Sequence, residues 1–445
     1  MENQFDLIVI GAGPGGYEAA ALGADGGLKT LLVERDELGG TCLNRGCIPT
    51  KCLCRSAEVI ETARGAAEFG IAVDDSPRVD IPAVIGRKNR IVEDLRQGVA
   101  MTVAKAETVV GEAEFTAPST IKVNGEEYTA PKIIIATGSA PASLPIPGAE
   151  LATDSTALLD IEALPPRLAI IGGGVIGLEF ASVFKAFGSE VTVVEYCKEV
   201  LPPFDRDIAK RLRVALQKRG IAFHTSAEAT SIEKAADGSL SLRFIKKGKE
   251  ETVEADAVLM AVGRRPCLPA GLEAAGIEAG KRGITVNDRF ETSAPGVYAI
   301  GDCNGRCLLA HAASAQARAV MGGEINLAVV PSAVFTMPEA AMAGETEEQL
   351  KDRGADFKTA KALFRANGKA TAMGETDGLL KLLAAPDGRL LGCHILGPHA
   401  ADLAAEAALA IANGLDAAAI ASTIHAHPTL SEALAAAAAS LASAT

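Results

Sequence analysis

The 445-residue chain has no tryptophan, 4 tyrosines and an aromatic content of 4%. Too few rings are present for stacking platforms under bases, which argues against a single-stranded nucleic-acid binder. Positive charge is also short: 43 Lys and Arg stand against 56 Asp and Glu, for a net charge of −13. That balance disfavours nucleic acid and anionic membrane as partners. No apolar run has the length of a membrane span, since stretches such as Leu7–Ile10 and Ile133–Ala136 are strand-length. A strand pattern at Phe5–Ile10 begins close to the initiator Met without a basic segment before it. No secretory leader is therefore read, and a cytoplasmic location is expected. With 48% hydrophobic and 22% charged residues, the chain has ample core for a folded protein, and its length suggests about three domains.

What the chain has in plenty is glycine, 45 residues of it. Phe5–Ile10 runs straight into Gly11-Ala12-Gly13-Pro14-Gly15-Gly16, an alanine-rich helix pattern comes next, and a second strand from Thr30 ends at Glu34. This is G-x-G-x-x-G in a strand–turn–helix–strand setting, with an acid 18 positions past the last glycine. Gly11, Gly13, Gly16 and Glu34 recur 161 residues later as Gly172, Gly174, Gly177 and Glu195, between the strand patterns Leu168–Ile171 and Val191–Val194. Two complete fingerprints in one register predict two dinucleotide-binding domains. In each, the first glycine allows the tight turn, the second lets backbone approach a pyrophosphate, and the third lets helix and strand pack closely. The diphosphate sits on the positive end of the helix, and the acid accepts from ribose hydroxyls. At the second site Glu195 would repel a 2′-phosphate, which favours NAD over NADP, although Lys198 lies close by.

Nine cysteines in such a chain are not a disulfide framework, so any pair among them invites a catalytic reading. Cys42 and Cys47 lie in Gly39-Gly40-Thr41-Cys42-Leu43-Asn44-Arg45-Gly46-Cys47-Ile48-Pro49-Thr50-Lys51, read as a turn leading into a helix. No second cysteine pair completes a zinc set, so no metal site is expected. The spacing allows a small disulfide, and two buried structural cysteines are the plain alternative. Pro49 suits the first turn of a helix, which puts Cys47 near a helix N-terminus, where the dipole favours thiolate. Cys47, Lys51 and Cys54 would share one helix face. Further on, Ile133–Ser139 (IIIATGS), Ala261–Pro266 (AVGRRP) and Thr292–Asp302 (TSAPGVYAIGD) are strand-and-turn blocks, and beyond Pro331 a separate α+β region is read.

The segment Gly39–Lys51 closely resembles the redox-active segment of the flavin-dependent pyridine nucleotide-disulfide oxidoreductases, class I, and the order of motifs resembles that family over nearly the whole chain. Within the family, Cys-Leu-Asn, Ile-Pro-Thr-Lys and the C-terminal His425-Ala426-His427-Pro428-Thr429-Leu430-Ser431-Glu432 are most similar to the dihydrolipoamide dehydrogenases. The resemblance implies two Rossmann-like domains, for FAD and NAD, plus a C-terminal α+β dimerisation domain. The implied boundaries are residues 1–145 (FAD, with the redox disulfide), 146–264 (NAD), 265–330 (completing the FAD site) and 331–445 (interface). It implies that Gly11, Gly13, Gly16 and Glu34 hold the adenylate half of FAD and that Ala113 meets the adenine. Thr41, Lys51, Thr137, Gly138, Asp302 and Ala310 then lie along the flavin and its ribitol. Gly172, Gly174, Gly177, Glu195 and Gly263 belong to NAD, and Glu179 is the acid that pairs with Lys51. Cys42 and Cys47 are the redox disulfide, His427 the base and Glu432 its orienting acid.

The implied activity is FAD-dependent oxidation of protein-bound dihydrolipoamide with NAD as acceptor, in a homodimer whose base comes from the partner chain. The lipoyl group would arrive on a protein of a 2-oxoacid dehydrogenase complex or glycine cleavage system. The rivals are a glutathione- or mercuric-reductase-like enzyme and a catalytically silent flavoprotein scaffold. Glu195 speaks against the first, the absence of a cysteine pair after Cys393 against the second, and the intact Cys42, Cys47, His427 and Glu432 against the third. His224, His394 and His399 read as structural or exposed, His425 as a support to the site, and Cys52 and Cys54 as small core residues.

Overall fold

The computed structural model describes residues 3–73 and 76–443. The chain forms two units. The first comprises Met1–Cys52, Pro82–Ala142 and Gly263–Leu327. Its apolar, β-branched runs make a five-stranded parallel sheet in the order Val297–Ala299, Lys132–Ile135, Leu7–Ile10, Thr30–Glu34, Glu107–Val110. Leu7–Ile10 and Thr30–Glu34 are buried along their whole length, as strands covered on both faces must be. Helix Pro14–Asp25 lies very close to the sheet because glycine spares it side chains. A Cβ on Gly23 would come within 2.4 Å of Leu7 Cδ2, and one on Gly15 within 3.0 Å of the Ala313 carbonyl in helix Ala310–Val320. The meander Ala113–Ala117, Thr120–Val123, Glu126–Thr129 adds Phe115, Ile121 and Val123 to the core.

The second unit comprises Leu53–Ile81, Ser143–Val262 and Ala328–Thr445. Its parallel sheet runs in the order Ala222–Thr225, Glu190–Glu195, Arg167–Ile171, Ala257–Met260, with a meander Ala227–Lys234, Leu240–Lys246, Lys249–Ala255. The α+β region is a five-stranded antiparallel sheet, ordered Ser332–Val334, Glu339–Gly344, Leu390–Gly397, Leu379–Ala384, Lys358–Leu363. Helix Glu432–Ala442 buries Ala433, Leu434, Ala437, Ala438 and Leu441, one stripe at helical spacing, in the same core as Leu380, Leu382 and Ile395.

An ionic joint inside this unit has no local signature in the sequence. Lys361, Lys381 and His394 stand opposite one another on three adjacent strands. The two lysines repel in that arrangement unless acids face them, whereas burial favours the neutral His394 ring. Asp205 and Asp207, at the start of helix Arg206–Lys218, supply those acids. Lys381 Nζ donates to Asp205 Oδ2 at 2.8 Å and to Glu347 Oε2 at 2.5 Å, and Lys361 Nζ donates to Asp207 Oδ2 at 2.5 Å. The Lys381 side chain is 1% exposed. Burial alone would lower its ammonium pKa, but the bonds to Asp205 and Glu347 hold it above the ordinary lysine value. Glu347 is pulled down to about 2 by its bonds to Lys351 and Lys381.

Candidate active site

Both glycine turns have one geometry. Gly11 and Gly172 take φ of +100° and +108°, which favours glycine. A Cβ on Gly16 would sit 1.8 Å from the Gly11 carbonyl oxygen, and one on Gly177 2.0 Å from that of Gly172. Gly13 and Gly174 begin helices Pro14–Asp25 and Val175–Phe187 with no side-chain cap, and a Cβ on either would meet nothing within 4 Å. Each helix thus turns uncapped N–H groups toward open space beside a side-chain-free backbone, the arrangement a diphosphate requires. Glu34 accepts from the N–H groups of Ala12 (2.6 Å) and Asp36 (3.0 Å), and Glu195 from those of Gly173 and Cys197. The carboxylates are held at the rim of the turns, so the residues present fit a dinucleotide at each.

After Glu34 the chain doubles back over the first turn, where the Gly39 N–H donates to the Ala12 carbonyl at 2.8 Å. The expected turn around Cys42 is a short helix, Gly40–Arg45, leading directly into helix Cys47–Arg64. Gly46 separates them, since a Cβ there would come 2.9 Å from the Thr41 carbonyl oxygen. Two glycines at positive φ lead into the short helix and conceal it from a propensity reading. Tertiary bonds hold it: Asn44 Nδ2 donates to Leu38 and Gly40 carbonyls, both at 3.0 Å, and the Arg96 guanidinium donates to Asn44 Oδ1 at 3.1 and 3.2 Å. Arg45 pairs with Asp36. Cys42 and Cys47 stand within hydrogen-bond contact of one another. That bond and burial push the Cys42 thiol up, and the Lys51 ammonium pulls it down.

The remaining candidates of this unit, the NAD candidate Gly263 among them, lie on turns, a strand start and a helix start. Thr137 Oγ1 donates to the Cys267 carbonyl at 2.6 Å, and the Gly138 carbonyl accepts from Cys267 N–H at 2.9 Å. Asp302 lies in a single 3₁₀ turn, Gly301–Asn304, and accepts from Ser139 Oγ at 2.5 Å. Arg264 donates to Ser139 Oγ and to the Ser139 carbonyl, both at 2.7 Å. Ser139 and Arg264 were not singled out in the sequence, though each is next to a residue that was. Gly263 has φ of +108° and open space beyond its Cα, Ala310 is the first residue of helix Ala310–Val320, and Ala113 opens a buried strand end.

The other candidates lie in the second unit. Glu179, 3% exposed, sits in helix Val175–Phe187 and accepts from the Phe335 N–H at 3.0 Å. The Phe335 carbonyl accepts from the Cys54 thiol at 3.4 Å, so Cys54 packs as a core residue with a polar tether. His427 projects from the turn before helix Glu432–Ala442, its side chain 79% exposed. Glu432 Oε1 faces His427 Nδ1 at 2.9 Å, while Oε2 accepts from the Thr429 N–H at 2.8 Å. The Thr429 bond, then the His427 bond, holds the Glu432 carboxyl below the usual range. Among the described residues no three His, Cys, Asp or Glu side chains group as metal ligands, and no helix is long and apolar enough to cross a membrane.

Two family models match this chain: pyridine nucleotide-disulphide oxidoreductase over residues 5–317, and the dimerisation domain of the same enzymes over residues 330–438. The chain belongs to the pyridine nucleotide-disulphide oxidoreductase family. It is an oxidoreductase of the α/β class whose cofactors are FAD and NAD, and its C-terminal domain makes it a homodimer. A dihydrolipoyl dehydrogenase of Thermus scotoductus is 45% identical, over 97% of this chain and 96% of the relative. One from Bacillus subtilis is 41% identical, over 96% of this chain and 94% of the relative. Among solved structures, the HOCl-induced flavoprotein disulfide reductase RclA from Escherichia coli aligns with a TM-score of 0.86 at 30% identity, over 98% of this chain and 99% of that one.

Proposed function

We propose that the protein oxidises dihydrolipoamide carried on a partner protein and passes the electrons to NAD, through a Cys42–Cys47 disulfide. The pairing of His427 with Glu432 carries this reading. Glu432 engages Nδ1 and the Thr429 N–H together, which fixes the ring and directs Nε2 outward as a base for a thiol. His427 Nε2 takes the proton of one substrate thiol, and the thiolate attacks Cys42 Sγ. The Cys42–Cys47 bond breaks and Cys47 leaves as thiolate. The second substrate thiol, its proton also lost, displaces Cys42 and closes the oxidised lipoyl ring, leaving both cysteines reduced. Bound FAD supplies the two-electron acceptor through which the pair is reoxidised at the expense of NAD.

Gly11, Gly13, Gly16 and Glu34, with Ala113, would hold the adenosine diphosphate of FAD, and Thr41, Lys51, Thr137, Gly138, Asp302 and Ala310 its flavin half. Gly172, Gly174, Gly177, Glu195 and Gly263 would hold NAD, and Glu179 would pair with Lys51 beside the flavin ring. Residues 1–145 and 265–330 then serve FAD, 146–264 NAD and 331–445 the dimer. The partner is the lipoyl-bearing protein of a 2-oxoacid dehydrogenase complex or glycine cleavage system. A reducing cytoplasm suits nine cysteines with no framework pattern.

Steady-state turnover of dihydrolipoamide with NAD, set against glutathione disulfide or mercuric ion with reduced coenzymes, tests the substrate. Faster turnover of either of the last two overturns the reading. A base supplied by the partner chain is tested by subunit exchange. A His427→Gln protein and a Cys42→Ser, Cys47→Ser protein, each inactive alone, should regain activity when mixed. Exchange verified by mass without recovered activity places the base within its own chain.

A further inference from the structure

His425, two residues before the proposed base, makes contacts that the proposed mechanism does not use. Its side chain is 8% exposed, although His427 beside it is 79% exposed. Nδ1 faces the Thr423 carbonyl at 2.9 Å, and Nε2 faces Glu406 Oε1, also at 2.9 Å. Both ring nitrogens thus lie within hydrogen-bond distance of an oxygen, which fixes the orientation of the ring. Glu406 lies on helix Ala400–Ala412, which packs on the antiparallel sheet, so the bond ties the His427 turn to a rigid element on one side. Glu432, on helix Glu432–Ala442, ties it on the other. Glu406 bonds to His425, Glu432 lies near both His425 and His427, and the buried Cys393 thiol lies near Glu406.

We infer that His425 and Glu406 form a hydrogen-bonded clamp that positions the His427 turn for proton abstraction from the substrate thiol. His425 is thus a positioning residue, and the inference rests on the reading of His427 as the base. Held at both nitrogens, the ring fixes where the base stands.

The test uses the FAD-loaded homodimer. His425→Gln and Glu406→Gln proteins should reduce their flavin with dihydrolipoamide about 10–100-fold more slowly, the scale of a misplacement of about 1 Å. Reduction of the flavin by NADH, which needs no base on this turn, should stay within about twofold of the parent. The loss should fall on kcat for dihydrolipoamide, with its KM within about twofold of the parent, because the clamp places the base and does not bind substrate. The double variant should be no slower than the worse single one, because the two residues act as a unit. Dihydrolipoamide rates within about twofold of the parent overturn the clamp, as does equal loss in both half-reactions. If His425→Gln does not fold, Glu406→Gln decides alone, since its side chain is partly exposed and nearly isosteric. A His427→Gln control separates the two claims. An unchanged dihydrolipoamide rate there sinks the base, whereas a collapsed rate there beside normal clamp variants sinks only the clamp.

Discussion

At residues 11–34 and 172–195 the chain builds the same turn twice, with matching positive φ, matching close approach of glycine to carbonyl, and an acid bonded to the same pair of N–H groups. The segments downstream of the two turns differ. After Glu34 the chain folds back through Gly39 into two consecutive helices that carry Cys42 and Cys47. After Glu195 it folds back through Leu201, whose N–H bonds the Gly173 carbonyl at 3.0 Å, into a charged surface helix tied by ions to the five-stranded antiparallel sheet. A shared nucleotide-binding turn therefore does not assign chemistry. The segment after the second strand does so: in one unit it brings thiols, in the other a mechanical joint.

The largest test removes the chemistry from the first region and leaves its turn alone. Cys42→Ser or Cys47→Ser should lower dihydrolipoamide turnover by about 10³-fold or more while flavin content, read from visible absorbance, is unchanged. Retained turnover in either would detach the thiols from the reaction.

Equal substitutions in the two turns come next. Gly16→Ala and Gly177→Ala both push a Cβ onto a backbone oxygen, and each should cost about 3 kcal/mol, the upper end of overpacking. Their consequences should diverge: Gly16→Ala protein should purify colourless, and Gly177→Ala protein should be yellow but unable to reduce NAD. Loss of flavin from Gly177→Ala would break the comparison.

A smaller effect tests the acid of the second turn. NAD should be preferred over NADP in kcat/KM by about 2–3 kcal/mol, and Glu195→Ala with an added Arg nearby should narrow that gap. Equal use of both coenzymes by the unaltered protein would refute the role given to Glu195.

The smallest expected effect lies in the ionic joint. Glu347 is held at about 2, below its ordinary 4.5, so its stabilisation is present above pH 4.5 and is lost as pH falls from there toward 2. The loss should be about 1 kcal/mol once solvent screening is allowed for. Urea midpoints of the parent should fall across that window more steeply than those of Glu347→Gln, and parallel curves would remove Glu347 from the joint.

The family, the fold class and the repeated turn were legible in the chain because each rests on short-range chemistry. A glycine that must adopt positive φ and an acid at the end of the next strand fall within about two dozen residues, and their spacing survives in the sequence. The short helix around Cys42 was not legible, because its stabilising bond to Arg96 comes from 52 residues away. Arg264 and Ser139 meet across 125 residues, and Lys381 and Asp205 across 176. No local pattern marks those partners.

By itself, then, the sequence determined that two dinucleotide turns would form, where the thiols would lie after the first of them, and which family the chain joins. These depend on backbone torsions and strand–helix periodicity, which neighbouring residues decide. Only the tertiary structure decided which polar side chains would be buried and with whom. A charge taken out of water must find its partner wherever the fold places one. Lys381 in its acid pair, Asp302 bonded to Ser139 and His425 bonded to Glu406 are set by the packing of other elements, not by the residues beside them.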